Sequence, residues 1–250
     1  MEQLRRLVDA YAGRSQKAVR FRPETWRPWL EPHGAAHVLD AGWERATGPG
    51  ADRLIDRDGL TAVRERAGAD RNGDPGGDAD GLRDLFVAVM IWGSGTTNGR
   101  GPRHTAAALS DPRLPTVLRA TRASVRKGDL GAAYSQFAVR GVGRSFFTKW
   151  FAAVDDRGPE CDRALILDDR VFRSLNALGW SSREAAGTRR RPTRYTTYVS
   201  TMHGWARELG TTADRLEWIL FAVNGQVDGD PCPGGKPIRA RIRGTDERTG

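Results

Sequence analysis

The sequence predicts a mainly α-helical protein, and three observations carry that prediction. Apolar residues recur at helical spacing through most of the chain, runs with strand-like alternation are scarce, and glycines close several of the periodic segments. Met1 to Arg14 reads as a short helix, and Phe21 to Leu30 (FRPETWRPWL) as a Pro-broken, aromatic segment wrapping the core. Gly68 to Gly81 (GADRNGDPGGDADG) reads as a flexible acidic loop, and Leu82 to Trp92 as a buried helix ended by Gly93-Ser94-Gly95. Helices follow around Ala106 to Leu109, Leu114 to Val125 and Asp129 to Val139. The last runs into a glycine hairpin, Arg140-Gly141-Val142-Gly143-Arg144, and a helix from about Ser145 to Val154. Asp169 to Leu178 makes a further helix capped by Gly179. A basic loop, Ser181 to Arg194, precedes two final helices, Tyr195 to Leu209 and Thr212 to Val223. No internal repeat is visible. The expected organisation is an N-terminal segment with its acidic loop (1–81), a helical core (82–224) and a basic, disordered tail (225–250).

At 250 residues the chain can bury one sizeable core or two small lobes sharing a cleft. Forty Lys plus Arg against thirty-one Asp plus Glu give a formal charge of +9, which favours polyanionic partners, nucleic acid first among them. Only four of those cations are lysines: Lys17, Lys127, Lys149 and Lys236. The two cysteines, Cys161 and Cys232, cannot make a tetrahedral thiolate site and are too few for a disulfide framework, so a reduced, cytosolic protein is expected. Met1 to Arg14 carries charge where a signal peptide needs an apolar stretch, and the longest apolar run, Leu85 to Trp92, is far short of a membrane span. No membrane partner is expected.

Two helices joined by Gly-Val-Gly suit DNA, because glycines allow the turn and let backbone N–H groups approach a phosphate beside a helix N-terminus. Such a contact is independent of sequence. Downstream, the apolar approach Ala164 to Leu167 delivers two carboxylates, Asp168 and Asp169, to the start of a helix, where an acid can equally serve as an N-cap. GVGRS (141–145) followed by ILDDRVFRSLNALGW (166–180) resembles the helix-hairpin-helix, Gly/Pro-rich loop and catalytic Asp signature of base-excision DNA glycosylases. In that family the catalytic Asp precedes a Val by three positions. The resemblance therefore implies that Asp168, three before Val171, is the catalytic carboxylate and that Asp169 caps the helix. It spans roughly Leu82 to Val223 and is most specific from Gly141 to Trp180.

Breaking an N-glycosidic bond develops oxocarbenium character on the sugar, which a fixed anion stabilises, and the target nucleotide must first be flipped out of the duplex. Lys149 lies among Phe146, Phe147, Trp150 and Phe151, surroundings that favour a neutral, nucleophilic amine. In bifunctional 8-oxoguanine glycosylases a lysine of this helix attacks the sugar C1′ to form a Schiff base, and the nineteen residues from Lys149 to Asp168 are similar to the separation there. The hairpin offset differs: two residues after the second glycine, where that lysine stands, this chain has Ser145. A serine there resembles the adenine glycosylase that acts opposite 8-oxoguanine, which carries a four-cysteine iron–sulfur cluster that this chain cannot build. Ser145 and Lys149 are one helical turn apart, so either is placed to face the sugar.

A purine pocket needs aromatic faces and polar groups. Trp92 is one candidate wall, and Glu217 with Phe221, one turn apart, resemble the acid and aromatic of the final helix in archaeal 8-oxoguanine glycosylases. A carboxylate can accept the N–H groups of guanine's Watson–Crick edge. Ala153 is small enough to leave room for a base. The combined expectation is an all-α helix-hairpin-helix glycosylase fold, two helical lobes flanking a cleft, with no required cofactor. It works as a monomer, associated with the nucleoid, on double-stranded DNA containing a damaged base. Its expected reaction is base-excision repair of an oxidised purine such as 8-oxoguanine, with AP lyase activity. Lys149 and Asp168 are the catalytic pair, Gly141, Val142, Gly143, Arg144 and Ser145 the DNA contact, and Trp92, Glu217 and Phe221 the base pocket. A monofunctional enzyme using Asp168 and water, and a non-catalytic DNA-binding module, are the alternatives.

Overall fold

The computed structural model describes residues 1–48, 50–69, 75–96 and 99–227, with side chains described for all of these except 68, 69 and 75–78. It is mostly helical. The first helix, α1 (Glu2–Ala10), buries Leu4 and Leu7 on one face. A sheet of three short antiparallel strands follows, β1 (Val19–Phe21), β2 (Glu44–Arg45) and β3 (Arg53–Ile55), in the order β1-β3-β2 with Val19 opposite Ile55 and Glu44 opposite Leu54. Asp52 clamps it by accepting from Arg20 at 2.6 Å and Arg22 at 3.2 Å. The sequence pattern does not reveal this sheet, since strands of two and three residues are too short for alternation to show.

The segment read as Pro-broken is an intact helix, α2 (Pro23–Leu30). Pro23 occupies the first position, where no N–H is needed, and Pro28 forfeits one internal bond while Trp26 and Leu30, one turn apart, are fully buried. The sequence reading assigns nothing between Leu30 and Gly68. The structure places there two 3-10 turns, β2, β3 and α3 (Arg57–Ala69). The expected loop Gly68 to Gly81 is also shorter than its composition suggests. α3 runs to Ala69 and α4 (Pro75–Gly93) begins at Pro75, so only 70–74 of that loop lie outside the described residues. Gly81 is a packing residue: a Cβ on it would sit 2.7 Å from Ala67 Cβ and 2.8 Å from Ala67 Cα. Gly81→Ala should therefore lower unfolding free energy by about 1–3 kcal/mol in urea titrations, because overpacking outweighs the gain of about 1 kcal/mol in helix propensity.

Leu85 to Ile91 of α4 are buried all round, which marks α4 as the central helix, and it packs against α3, α5 (Gly101–Leu109), α6 (Leu114–Arg126) and α8 (Arg144–Val154). Asp129 caps α7 (Leu130–Gln136) by accepting from Ala132 N. Beyond the hairpin and α8 come α9 (Asp169–Ala177), α10 (Ser182–Ala185), α11 (Arg191–Leu209) and α12 (Ala213–Val223). The expected basic loop Ser181 to Arg194 is thus partly helical. Ser181 caps α10, Pro192 sits in the first turn of α11, and Arg194 donates to Ser182 Oγ at 2.9 Å, tying the two together. Of the expected tail, Gly225 donates to Ser174 Oγ at 2.8 Å and Val227 is buried, while 228–250 lie outside the described residues. One contiguous apolar cluster joins Leu4, Trp26, Phe86, Trp150, Tyr198 and Leu220.

Candidate active site

The site is organised around a segment outside the helices, Ala164 to Leu167, which is buried and pairs with no strand among the described residues. Its backbone polar groups need partners, and side chains of the surrounding helices supply them. Ala164 N donates to Asp155 Oδ2 at 2.7 Å, Ile166 N to Glu217 Oε2 at 2.7 Å and Leu167 N to Thr148 Oγ1 at 3.1 Å. Tyr195 and Tyr198, successive on α11, donate their hydroxyls to the carbonyls of Leu165 and Ile166, both at 2.8 Å. Burial pushes both phenols well above their ordinary range, so they stay neutral donors. Asp155 is itself gripped by Arg157, at 2.8 and 2.7 Å.

This support delivers Asp168 to the N-terminus of α9 with both oxygens engaged. Oδ1 accepts from Arg170 N at 3.0 Å, and Oδ2 lies 3.2 Å from Lys149 Nζ. The division of labour expected between the two acids is therefore corrected: Asp168, not Asp169, is the N-cap. Its extended backbone (ψ 156°) hangs the carboxylate over the first-turn N–H groups, whereas Asp169 is already helical, exposed, and paired with Arg144. Lys149 is nearly buried, 5.8 Å from the Phe146 ring centroid, and its ammonium also donates to Ser145 O at 3.2 Å. Ser145 lines neither cavity at the site and contributes its carbonyl to the lysine. Gly93, read from sequence as a helix stop, has a second role. A Cβ on it would stand 2.9 Å from Phe146 Cε1 and 3.0 Å from Lys149 Cδ, so a bare backbone is what lets the lysine pass α4.

The hairpin is anchored by Val139 and Val142, both buried, and presents Arg140, Gly141 and Gly143 outward. Gly141 takes φ +82°, which only glycine adopts without strain, and Gly143 is the N-cap of α8. Arg144 joins the start of α8 to the start of α9 through Asp169 and lies 5.0 Å over the Phe172 ring. The hairpin and the Lys149–Asp168 pair thus share the same two helix starts.

A cleft of about 1380 Å³ brings together five residues singled out from sequence for catalysis and base binding: Trp92, Lys149, Asp168, Glu217 and Phe221. Trp92 is buried, and its indole N–H has no hydrogen-bond partner among the described residues. One face of Phe221 carries the Arg170 guanidinium at 4.8 Å. Glu217 is buried, with Oε1 accepting from Arg57 Nη2 at 2.8 Å and Oε2 from Ile166 N. Burial pushes its carboxyl up, opposed by Arg57 and the Ile166 N–H. Ala153 lies elsewhere, in a second cavity of about 620 Å³ that shares Arg57, Trp92, Lys149 and Ile166 with the cleft. The sequence reading passes over Gln16 and Arg57, which also line the cleft.

Residues 12–221 match the family model described as "Putative 8-oxoguanine DNA glycosylase OGG-like protein". No curated protein and no solved structure matches the chain.

Proposed function

This chain belongs to the OGG-like family of DNA glycosylases, whose substrate is DNA, and on that premise we propose that it excises an oxidised purine such as 8-oxoguanine from duplex DNA and then opens the sugar as an AP lyase. The observation that carries this reading is the Lys149–Asp168 contact of 3.2 Å in the wall of a cleft that also holds Trp92 and Phe221. An amine to attack C1′ and a carboxylate to stabilise positive charge on the sugar are the two groups that the reaction needs. Their adjacency lets one flipped nucleotide meet both. Trp92, Glu217 and Phe221 form the base pocket, and Gly141 to Ser145 grip the backbone beside it. The test is base release, by chromatography, from otherwise identical duplexes bearing 8-oxoguanine, hypoxanthine, uracil or unmodified guanine. Preferential release of 8-oxoguanine is expected, and release of none of these bases would refute the reading.

The backbone grip has its own test. Gly143 has an ordinary φ of −80°, and a Cβ there would meet nothing within 4 Å, so Gly143→Glu should fold normally. It puts an anion where N–H groups would face phosphate, and so should weaken binding to lesion-bearing and undamaged duplex alike, by about tenfold or more at low salt. Fluorescence anisotropy checks this; unchanged affinity would move the DNA contact away from the hairpin.

A further inference from the structure

We infer that Arg57 reads the flipped base by donating to a carbonyl oxygen of the oxidised purine, and that Glu217 acts by positioning Arg57. The inference rests on the proposed function and names the recognition group within the same cleft. Three observations lead to it. First, Glu217, the residue that sequence puts forward as the reader, already accepts a hydrogen bond on each oxygen, from Arg57 Nη2 at 2.8 Å and from Ile166 N at 2.7 Å. Second, Arg57 is held as a rigid fork: Nε donates to Gln16 Oε1 at 3.1 Å, Nη2 to Glu217, and the guanidinium carbon sits 5.5 Å from the Trp92 ring centroid. Its Nη1 has no hydrogen-bond acceptor among the described residues, although the side chain lines the cleft beside Lys149. Third, Trp92, whose ring lies under that guanidinium and which lines the same cleft, has a buried indole N–H that is an orphaned donor. A buried donor without an acceptor is costly and asks for an explanation, and a ligand oxygen is one.

The chemistry selects the kind of base. Arginine and indole can only donate, so they recognise acceptors. Unmodified guanine offers O6 and N7 to arginine. Oxidation at C8 turns N7 into an N–H donor and adds a second carbonyl, leaving O6 and O8 as the acceptors on that side. A donor-only pair beside the nucleophile therefore suits a purine with carbonyl groups. Glu217 contributes by fixing the fork from behind.

The test compares Arg57→Met, Glu217→Gln and the double variant with wild type, by single-turnover excision of 8-oxoguanine and by affinity for a duplex carrying a tetrahydrofuran abasic-site analogue. Arg57→Met strands a buried carboxylate, whereas the double variant removes both charges and keeps a carbonyl to accept from Ile166 N. That form preserves the fold and decides the matter. Excision should fall about ten- to hundredfold, the range of one charge-assisted hydrogen bond, with abasic-site affinity unchanged because no base is there to read. Glu217→Gln should cost nothing further once Arg57 is Met, since it acts through that residue. Loss shared by 8-oxoguanine and 8-oxoadenine assigns O8, and loss confined to 8-oxoguanine assigns O6. Wild-type excision by the double variant, or an equal loss on the abasic duplex, would overturn the inference. A wild-type protein that releases no base at all would overturn the proposed function beneath it.

Discussion

Asp168→Asn should bind lesion duplex almost as tightly as wild type while losing base excision by about a hundred- to thousandfold, the scale of a preorganised electrostatic group removed from a transition state. The substitution is close to isosteric. Asn is as good an N-cap as Asp, and its amide oxygen can keep accepting from Arg170 N, so α9 should hold its start. What disappears is the anionic oxygen 3.2 Å from Lys149, whose place is taken by an uncharged NH2 group. Positive charge on the sugar develops only as the glycosidic bond breaks, so ground-state binding senses the loss weakly and the chemical step senses it fully. Asp169→Asn is the control. Asp169 is exposed, and its pair with Arg144 is a surface contact worth at most about 1 kcal/mol, so that variant should excise at the wild-type rate with a small change in unfolding midpoint. Single-turnover excision and thermal unfolding of both variants check the pair. Equal rates for Asp168→Asn and wild type would remove Asp168 from the chemistry.

What was legible in the sequence was whatever local rules determine. The helices α4 to α9, α11 and α12, the hairpin and the delivery of acids to the start of α9 follow from apolar spacing, glycines and caps within a few residues of one another, whereas α10 lies inside the segment that its basic composition marks as a loop. The sequence pattern puts the cap at Asp169, one position late, because both neighbours are acids and only the backbone turn decides which is outside the helix. The β-sheet was hidden by the shortness of its strands, and α3 by the charged composition of Arg57 to Ala69. Arg57 and Glu217 are 160 residues apart, so no local pattern joins them. The support of Ala164 to Leu167 left a fainter trace. An apolar run with no partner strand has to satisfy its backbone elsewhere, and Thr148, Tyr195 and Tyr198 carry hydroxyls where an apolar side chain would fill the same space.

Lys149→Gln should abolish the covalent adduct that borohydride traps between wild-type protein and lesion duplex, an all-or-none difference on a denaturing gel. Only an amine that displaces the base from C1′, and then opens the sugar ring by breaking C1′–O4′ with a proton going to O4′, gives an imine carbon to which borohydride can deliver hydride; water as nucleophile leaves nothing to reduce. Lys149 is one of four lysines in the chain, and its Nζ is held at the cleft by Ser145 O and Asp168 Oδ2. An ammonium has no lone pair, so a proton must leave before attack. Asp168 is the nearest base, and the departing purine, which leaves with its bonding electrons, is the final acceptor that the reaction itself supplies. Lys17 also lines the cleft but is exposed at its rim, so Lys17→Gln should trap as wild type does. Gln at 149 keeps most of the length of the side chain and a donor toward Asp168, so the fold and DNA affinity should survive, which anisotropy on the same duplex establishes. Adduct formation that persists in Lys149→Gln and vanishes in Lys17→Gln would transfer the nucleophile to the N-terminal segment. Excision by wild type with no adduct at all would mean that water attacks and that Lys149 serves to orient Asp168.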